Sequence, residues 1–320
     1  MEANLAPDIP TEQMIYQFAA ASGWGRAAKQ PIFAAGMGGL RVSRDGGETW
    51  TDAYRSLGLG QALPTLAVAV APGPRRDVFA GYNGGLLRSE DGGANWENVS
   101  LAVPPPAVGA LAVSPNYAND GTVFASTLAD GVHYSTNRGA QWKTGGLGLI
   151  DMNILCLAVA PNFEVQPTVF AGTQSGLFCS RNAGRSWREV DLPIGYDAVL
   201  SLTLSPDFGA DGTLYAGTEA HGLLGSEDGG QHWRRIGEAA LANAIDQIGL
   251  APDFSLQRHL LALNDGRLSA SEDGGATWHS WAAAQLMAAD ATAFIAPRGF
   301  GAGEPVLVGV EGGGILRVQG

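Results

Sequence analysis

Lysine and cysteine are nearly missing from this chain of 320 residues, which has two of each: Lys29 and Lys143, Cys156 and Cys179. Nineteen Lys and Arg stand against 31 Asp and Glu, a formal charge of −12. Such a balance repels phosphate backbones and offers no basic stripe for counterion release, which excludes nucleic acid as a partner. The pairs Arg75-Arg76 and Arg234-Arg235 read as solvated turn residues. Two cysteines make no disulfide framework. No run of 18 apolar residues is present, so membrane insertion is not expected. Residues 1–10 carry acids and no apolar stretch of the kind a secretory signal needs, and a soluble, cytoplasmic protein is expected. Helix-forming patterns are scarce too. What is abundant is glycine (46) and proline (17) beside 45% hydrophobic residues, the composition of short buried strands separated by tight turns.

The chain repeats itself. Six segments align without gaps: Ser43-Arg-Asp-Gly-Gly-Glu-Thr-Trp50, Ser89-Glu-Asp-Gly-Gly-Ala-Asn-Trp96, Ser135-Thr-Asn-Arg-Gly-Ala-Gln-Trp142, Ser180-Arg-Asn-Ala-Gly-Arg-Ser-Trp187, Ser226-Glu-Asp-Gly-Gly-Gln-His-Trp233 and Ser271-Glu-Asp-Gly-Gly-Ala-Thr-Trp278. A fixed period of this length marks a propeller or solenoid. The acceptor position holds Asp45, Asp91, Asn137, Asn182, Asp228 or Asp273. Its oxygen can take backbone N–H groups across a turn while Gly supplies a positive φ. Asn keeps the oxygen and loses the charge, which suits a structural role and not metal ligation. Each Trp is expected to anchor the next strand between sheets.

These segments resemble the Asp-box (BNR) repeat S-x-D-x-G-x-T-W of sialidase-like, sortilin-like and photosystem-assembly propellers, and are closest to bacterial BNR-repeat proteins. The resemblance covers nearly the whole chain. It implies an all-β, seven-bladed β-propeller of four-stranded blades forming one domain, 1–320. Strand signals within each repeat place the blades at 14–54, 62–99, 107–144, 153–190, 197–236, 243–281 and 290–318. In the second unit the four strands are expected at 65–71, 77–82, 85–89 and 95–99, each apolar or β-branched and bounded by Gly or Pro. First strands recur at 15–21, 65–71, 109–114, 155–160, 200–205, 246–251 and 291–296. Cys156 and Cys179 then fall on the first and third strands of one blade, too far apart to bridge, and act as buried thiols. The last unit ends before any box, so residues 2–10 are expected to add its fourth strand and leave no open edge.

In propellers the first strand lines the axis, so the loops entering it share one face with the turns joining second to third strands. The boxes lie on the opposite rim. So do the turns Ser114-Pro-Asn-Tyr, Ala160-Pro-Asn-Phe, Ser205-Pro-Asp-Phe and Ala251-Pro-Asp-Phe, whose aromatic residues are expected to pack between blades. The candidate ligand-binding face is therefore Tyr82, Asn83, Asp130, Gln174, Glu219, His221, Asn264, Asp265 and Glu311, joined by Tyr54, Asp151, Asn153, Tyr196 and Asp197 from the incoming loops. It is polar and acidic.

Two functional classes follow. In the first, a non-catalytic binding scaffold presents this face to a protein or peptide, or to a small polar ligand or glycan. The second is a glycoside hydrolase using two carboxylates about 5–9.5 Å apart at the channel mouth. Asp151, Asp197, Glu219 and Asp265 are its candidates. The short loops favour the scaffold. The resemblance to sialidases fails on the arginine triad, because Arg41, Arg88 and Arg317 occupy third strands facing away from the axis. His133, His221 and His232 sit on different blades or faces, so neither a metal nor a cofactor is expected.

Overall fold

Each repeat opens with about six residues rich in β-branched and small apolar side chains. They form the strands Ile15–Ala20, Thr65–Val70, Val108–Val113, Ile154–Val159, Val199–Leu204, Ile245–Leu250 and Ala291–Ile295, within about a residue of the expected positions. The computed structural model describes residues 14–20, 30–101, 105–237, 240–286, 289–300 and 303–319. Second strands read as unbroken apolar runs, Val-Phe-Ala-Gly-Tyr at Val78–Tyr82 and Val-Phe-Ala-Gly-Thr at Val169–Thr173, and are buried almost throughout. A run without alternation suits a strand covered on both faces.

Six sheets have four antiparallel strands in chain order, and the seventh has three among the described residues. Successive first strands abut one another, and that of the seventh sheet abuts that of the first. The chain is a seven-bladed β-propeller. The expected closing strand at residues 2–10 lies outside the described residues. Closure is visible in other contacts between blades 7 and 1. Ile15, Phe18 and Ile32 share a core with Ala293 and Leu307, and Arg41 donates to the carbonyl of Gly313. Gly47, at φ +89°, lies so near Leu307 that a Cβ would sit 2.5 Å from its side chain.

Aromatic pairs of one kind lock four successive interfaces, from blade 2 to blade 6. Phe79, Phe124, Phe170 and Tyr215 on second strands meet Tyr117, Phe163, Phe208 and Phe254 of the following blade edge to face, at 6.0–6.2 Å between centroids. This is the packing expected of the Ser/Ala-Pro-Asn/Asp-aromatic turns. In three of them the aromatic begins a single helical turn: Tyr117–Asp120, Phe208–Asp211 and Phe254–Gln257. Gly121, Gly212 and Arg258 end these turns in the left-handed region, a C-cap invisible to a turn-only reading. Near the axis, side chains bond to the backbone of the next blade. Gln17 accepts the N–H of Val68, Ser201 donates to the carbonyl of Ile245, and Gln247 both accepts from and donates to Phe294.

The boxes fold as their composition demands. Asp45 Oδ1 accepts the N–H groups of Glu48 and Thr49, and Ser43 Oγ accepts that of Gly47 while donating to Asp45. Asn137 and Asn182 keep the same acceptor role toward Gln141 and Ser186. The tryptophans divide into groups. Trp96 and Trp187 are buried and donate to Ala53 and Gly145 of the preceding blade. Trp142, Trp233 and Trp278 instead donate back to Gly139, Gly230 and Gly275 of their own boxes. Trp50 Nε1 has no partner. All six indoles pack into a core shared with the preceding blade, Trp50 with Leu307 and Trp233 with Phe170 among them, and only the N–H bond across blades is confined to two boxes. Arg234 and Arg235 lie on the outer strand Arg234–Ile236 rather than in a turn.

Candidate functional site

The turns between second and third strands are built on threonine. In blade 5, Thr218 Oγ1 donates to Gly222 O at 2.9 Å and accepts the N–H of His221 at 3.1 Å. Thr127 and Thr173 play the same part in blades 3 and 4. Gly222 is required here, at φ +73°, because a Cβ would fall 1.9 Å from the carbonyl of Leu241. The linker into the next blade lies directly over the turn.

On this base Asp197 and His221 meet. Asp197 is buried, and its Oδ2 lies 2.8 Å from His221 Nδ1 and 3.1 Å from the Ala220 nitrogen. The ionised carboxylate has no proton to give, so His221 donates through Nδ1 and Nε2 is the ring's other nitrogen. Burial works against the charge on Asp197, but the bonds from His221 and Ala220 outweigh it and hold the carboxyl below its ordinary range. Glu219 is tied to the same linker through its N–H, which donates to Ala198. Asp197, Glu219 and His221 therefore form one group.

Asp151 repeats the device in blade 4. Its Oδ2 accepts from the N–H and hydroxyl of Ser175 at 2.9 and 2.8 Å, and Oδ1 accepts from Asn153 N–H. Burial opposes its charge and these bonds again prevail, so its pKa is lowered. Gln174 N donates to Asn153 O. Beside Ser175 opens a cavity of about 330 Å³ between blade 4 and the linker that leaves it, whose lining includes Glu189, Asp191, Leu192 and Tyr196. Five of the expected face residues, Asp151, Asn153, Gln174, Tyr196 and Asp197, thus lie in or beside the walls of one feature.

The remaining candidates are spread around the ring. Asp265 accepts from Asn243 at 2.6 Å and Asn264 donates to Ala244 O, both in blade 6. Tyr82 receives a bond from Asn98, Asn83 bridges to Ala107, Asp130 donates its N–H to Thr127, and Glu311 donates its N–H to Asp290 O. Tyr54 does not belong to the face. Its ring is buried against Trp96, with the hydroxyl 2.9 Å from Thr65, because the loop carrying it folds inward.

Sequence reading missed Ser175, Thr218 and Asp246. The recurring threonine ahead of the turn glycine was the available signal for Thr218. Asp246 stands in the strand position where other blades have Leu66, Leu155 and Leu200. Desolvation, then the charge of Asp265, pushes its carboxyl up. Arg41, Arg88 and Arg317 do not converge: Arg88 pairs with Glu90 and Glu97, and Arg317 with Glu48. Among the described residues no three His, Cys, Asp or Glu gather as a metal site. Cys156 and Cys179 are free, and burial pushes Cys156 up to about 12. No described helix is long and apolar enough to cross a membrane.

No family model and no curated protein sequence matches the chain. Solved structures do. YCF48 bound to D1 peptide superposes with a TM-score of 0.71 at 16% identity, over 100% of this chain and 95% of that one. The likeness is one of fold. The extracellular domain of the putative one component system BT4673 from B. thetaiotaomicron gives 0.72 at 15%, over 99% of this chain and 39% of that one. The GH74 xyloglucanase from Xanthomonas campestris, Xcc1752, gives 0.71 at 18%, over 96% and 52%. The chain spans about two fifths to one half of these last two. Propellers similar to it thus include a peptide-bound protein, an extracellular domain of a putative one component system and a xyloglucanase.

Proposed function

We propose that this protein is a non-catalytic binding platform that presents the loop face of blades 4 and 5 to a protein or peptide. The observation that carries this reading is that Asp151 and Asp197, the most enclosed carboxylates of the face, are fixed by the turns of their own blades and kept ionised. Groups so held are poor proton donors and good fixed charges for recognition. The likeness to YCF48, which was solved with a bound peptide, supports the same reading. Selection from an unbiased displayed-peptide library against the full chain tests it. Enriched peptides should lose binding to the variant Glu219→Gln/His221→Ala and keep it to variants of the box rim. Peptides indifferent to the loop-face changes would overturn the proposal.

One observation favours hydrolysis as a second reading. Asp246 and Asp265 follow the paired residues Ile245 and Asn264 at one end of adjacent strands, and desolvation with the Asp265 charge pushes the exposed Asp246 carboxyl up, the direction a general acid requires. Turnover of a fluorogenic glycoside that disappears in Asp246→Asn and falls in Glu219→Gln would favour it.

A further inference from the structure

Large apolar side chains are not exposed evenly over this propeller. On the loop side Met14, Tyr16, Met37 and Leu59 are exposed about blades 1 and 2, and Leu128, Leu147, Ile150, Met152 and Tyr196 in the turns and incoming linkers of blades 3 to 5, the larger and more exposed set, where Tyr196 stands 79% open. The strand-connecting turns on the opposite side offer only Val165 and Leu256 among the described residues of this kind. The loop-face residues of blades 3 to 5 are neighbours. The sulfur of Met152 would lie 2.8 Å from a Cβ on Gly131, so Met152 is folded over the turn that carries Leu128. Leu128 in turn reaches back over Gly109 at the rim of the first strand of blade 3. Beyond Ile150 and Asp151 the surface continues to Ser175, the cavity and Tyr196.

Charge on the same surface is predominantly acidic, with Arg235, which donates to His221 O, at its edge. The five segments 128–130, 145–153, 174–176, 191–198 and 219–222 contain Asp130, Asp151, Asp191, Asp197 and Glu219, and no lysine or arginine. Glu189 adds a further carboxylate to the cavity wall. An exposed apolar patch rimmed by charge predominantly of one sign marks an interaction surface for a partner of the other sign. Resting on the function proposed above, we infer that blades 3 to 5 bind an extended protein segment whose surface-facing side chains, every second residue, are apolar and end in one cation. Apolar side chains seat on Leu128, Met152 and Ile150. One lysine or arginine enters the cavity between Glu189 and Asp191 and lies against the Tyr196 ring. Alternate side chains of an extended strand are ~7 Å apart on one face, which suits successive seats along such a surface. A cation against an aromatic ring adds to carboxylate attraction once partly desolvated.

The test uses the full chain and three labelled extended peptides of equal length, in which serine at every second position alternates with a facing series of three leucines and a lysine (Lys/Leu), three serines and a lysine (Lys/Ser) or three leucines and a glutamate (Glu/Leu), titrated by fluorescence anisotropy. The Lys/Leu peptide is expected to bind. Its affinity should fall about tenfold in Tyr196→Ala and in Glu189→Gln/Asp191→Asn, and also in Met152→Ser. Leu256→Ser, on the opposite side, should leave it unchanged. All these side chains are at the surface, and thermal unfolding of each variant checks the fold. Equal binding of Lys/Ser would reduce the effect to net charge and overturn the inference, as would failure of Lys/Leu to bind or indifference to the loop-face variants. If library-selected peptides depend on Glu219 and His221 while Lys/Leu does not bind, the platform reading stands and this inference falls.

Discussion

His221 Nδ1 lies 2.8 Å from Asp197 Oδ2, tying the turn between two strands of blade 5 to the linker that enters the same blade. The bond is a main reason the Asp197 carboxyl stays low despite its burial. In His221→Ala that carboxyl should titrate at a higher pH than in the wild-type protein, as followed by carboxyl carbon chemical shifts. The Ala220 N–H bond should keep it from rising as far as burial alone would take it. An unchanged titration would mean that the histidine does not set the charge.

The boxes predict the response to acid. Asp45, Asp91 and Asp273 are held at about 2 by bonds from neighbouring backbone and side chains, which outweigh such burial as they have. A carboxyl lower in the folded than in the unfolded state stabilises the fold above its unfolded value of about 3.9. That contribution fades as pH falls toward 2. Urea midpoints should therefore drop between pH 5 and pH 2, those ends being roughly the two pKa limits. The triple change to Asn at these positions should flatten the drop while leaving far-UV spectra intact, since Asn137 and Asn182 already fill the role.

Tyr117 donates a 2.6 Å bond to Asp77, a fully buried carboxylate of the preceding blade. Asp77 Oδ1 has no partner. Tyr117→Phe should cost about 2 kcal/mol in chemical denaturation, the order of a buried charged group losing its donor. Adding Asp77→Thr should recover most of it. The next three interfaces already pair threonine with phenylalanine at these positions: Thr122 with Phe163, Thr168 with Phe208 and Thr213 with Phe254.

Gly93 separates close approach from backbone strain. At φ +82° its Cβ position lies 2.7 Å from the Phe33 ring, whereas Gly58, at φ +60°, has nothing within 4 Å. Gly58→Ala should cost about 1 kcal/mol for the left-handed backbone alone. Gly93→Ala should cost about 1–3 kcal/mol more, because the ring is held in a close-packed core. Equal losses in calorimetry would show that Phe33 can move aside.

Much of the fold was legible in single residues. Ser, Asp or Asn, Gly and Trp at fixed offsets fix the box turn, since their bonds span four residues or fewer. The period placed the first strands to within about one residue for the same reason. The tryptophans were less legible. Whether an indole N–H bonds to the preceding blade, as that of Trp187 does, or to its own glycine, as that of Trp233 does, depends on a neighbour more than 40 residues away. Tyr54 was misjudged similarly, because its partners Trp96 and Thr65 come from the box and the first strand of the next blade.

The amino-acid order by itself determined the repeat, the local turns, the strands and the side on which polar loops gather, all consequences of short-range bonding and of a period that forces equivalent units to stack. Only the tertiary structure decided which loop residues meet. Asp197 and His221, Asp151 and Ser175, and the apolar seats beside them are brought together by linkers folding over turns. The two carboxylate contacts join residues 24 positions apart within one blade, a separation that no local window of residues spans.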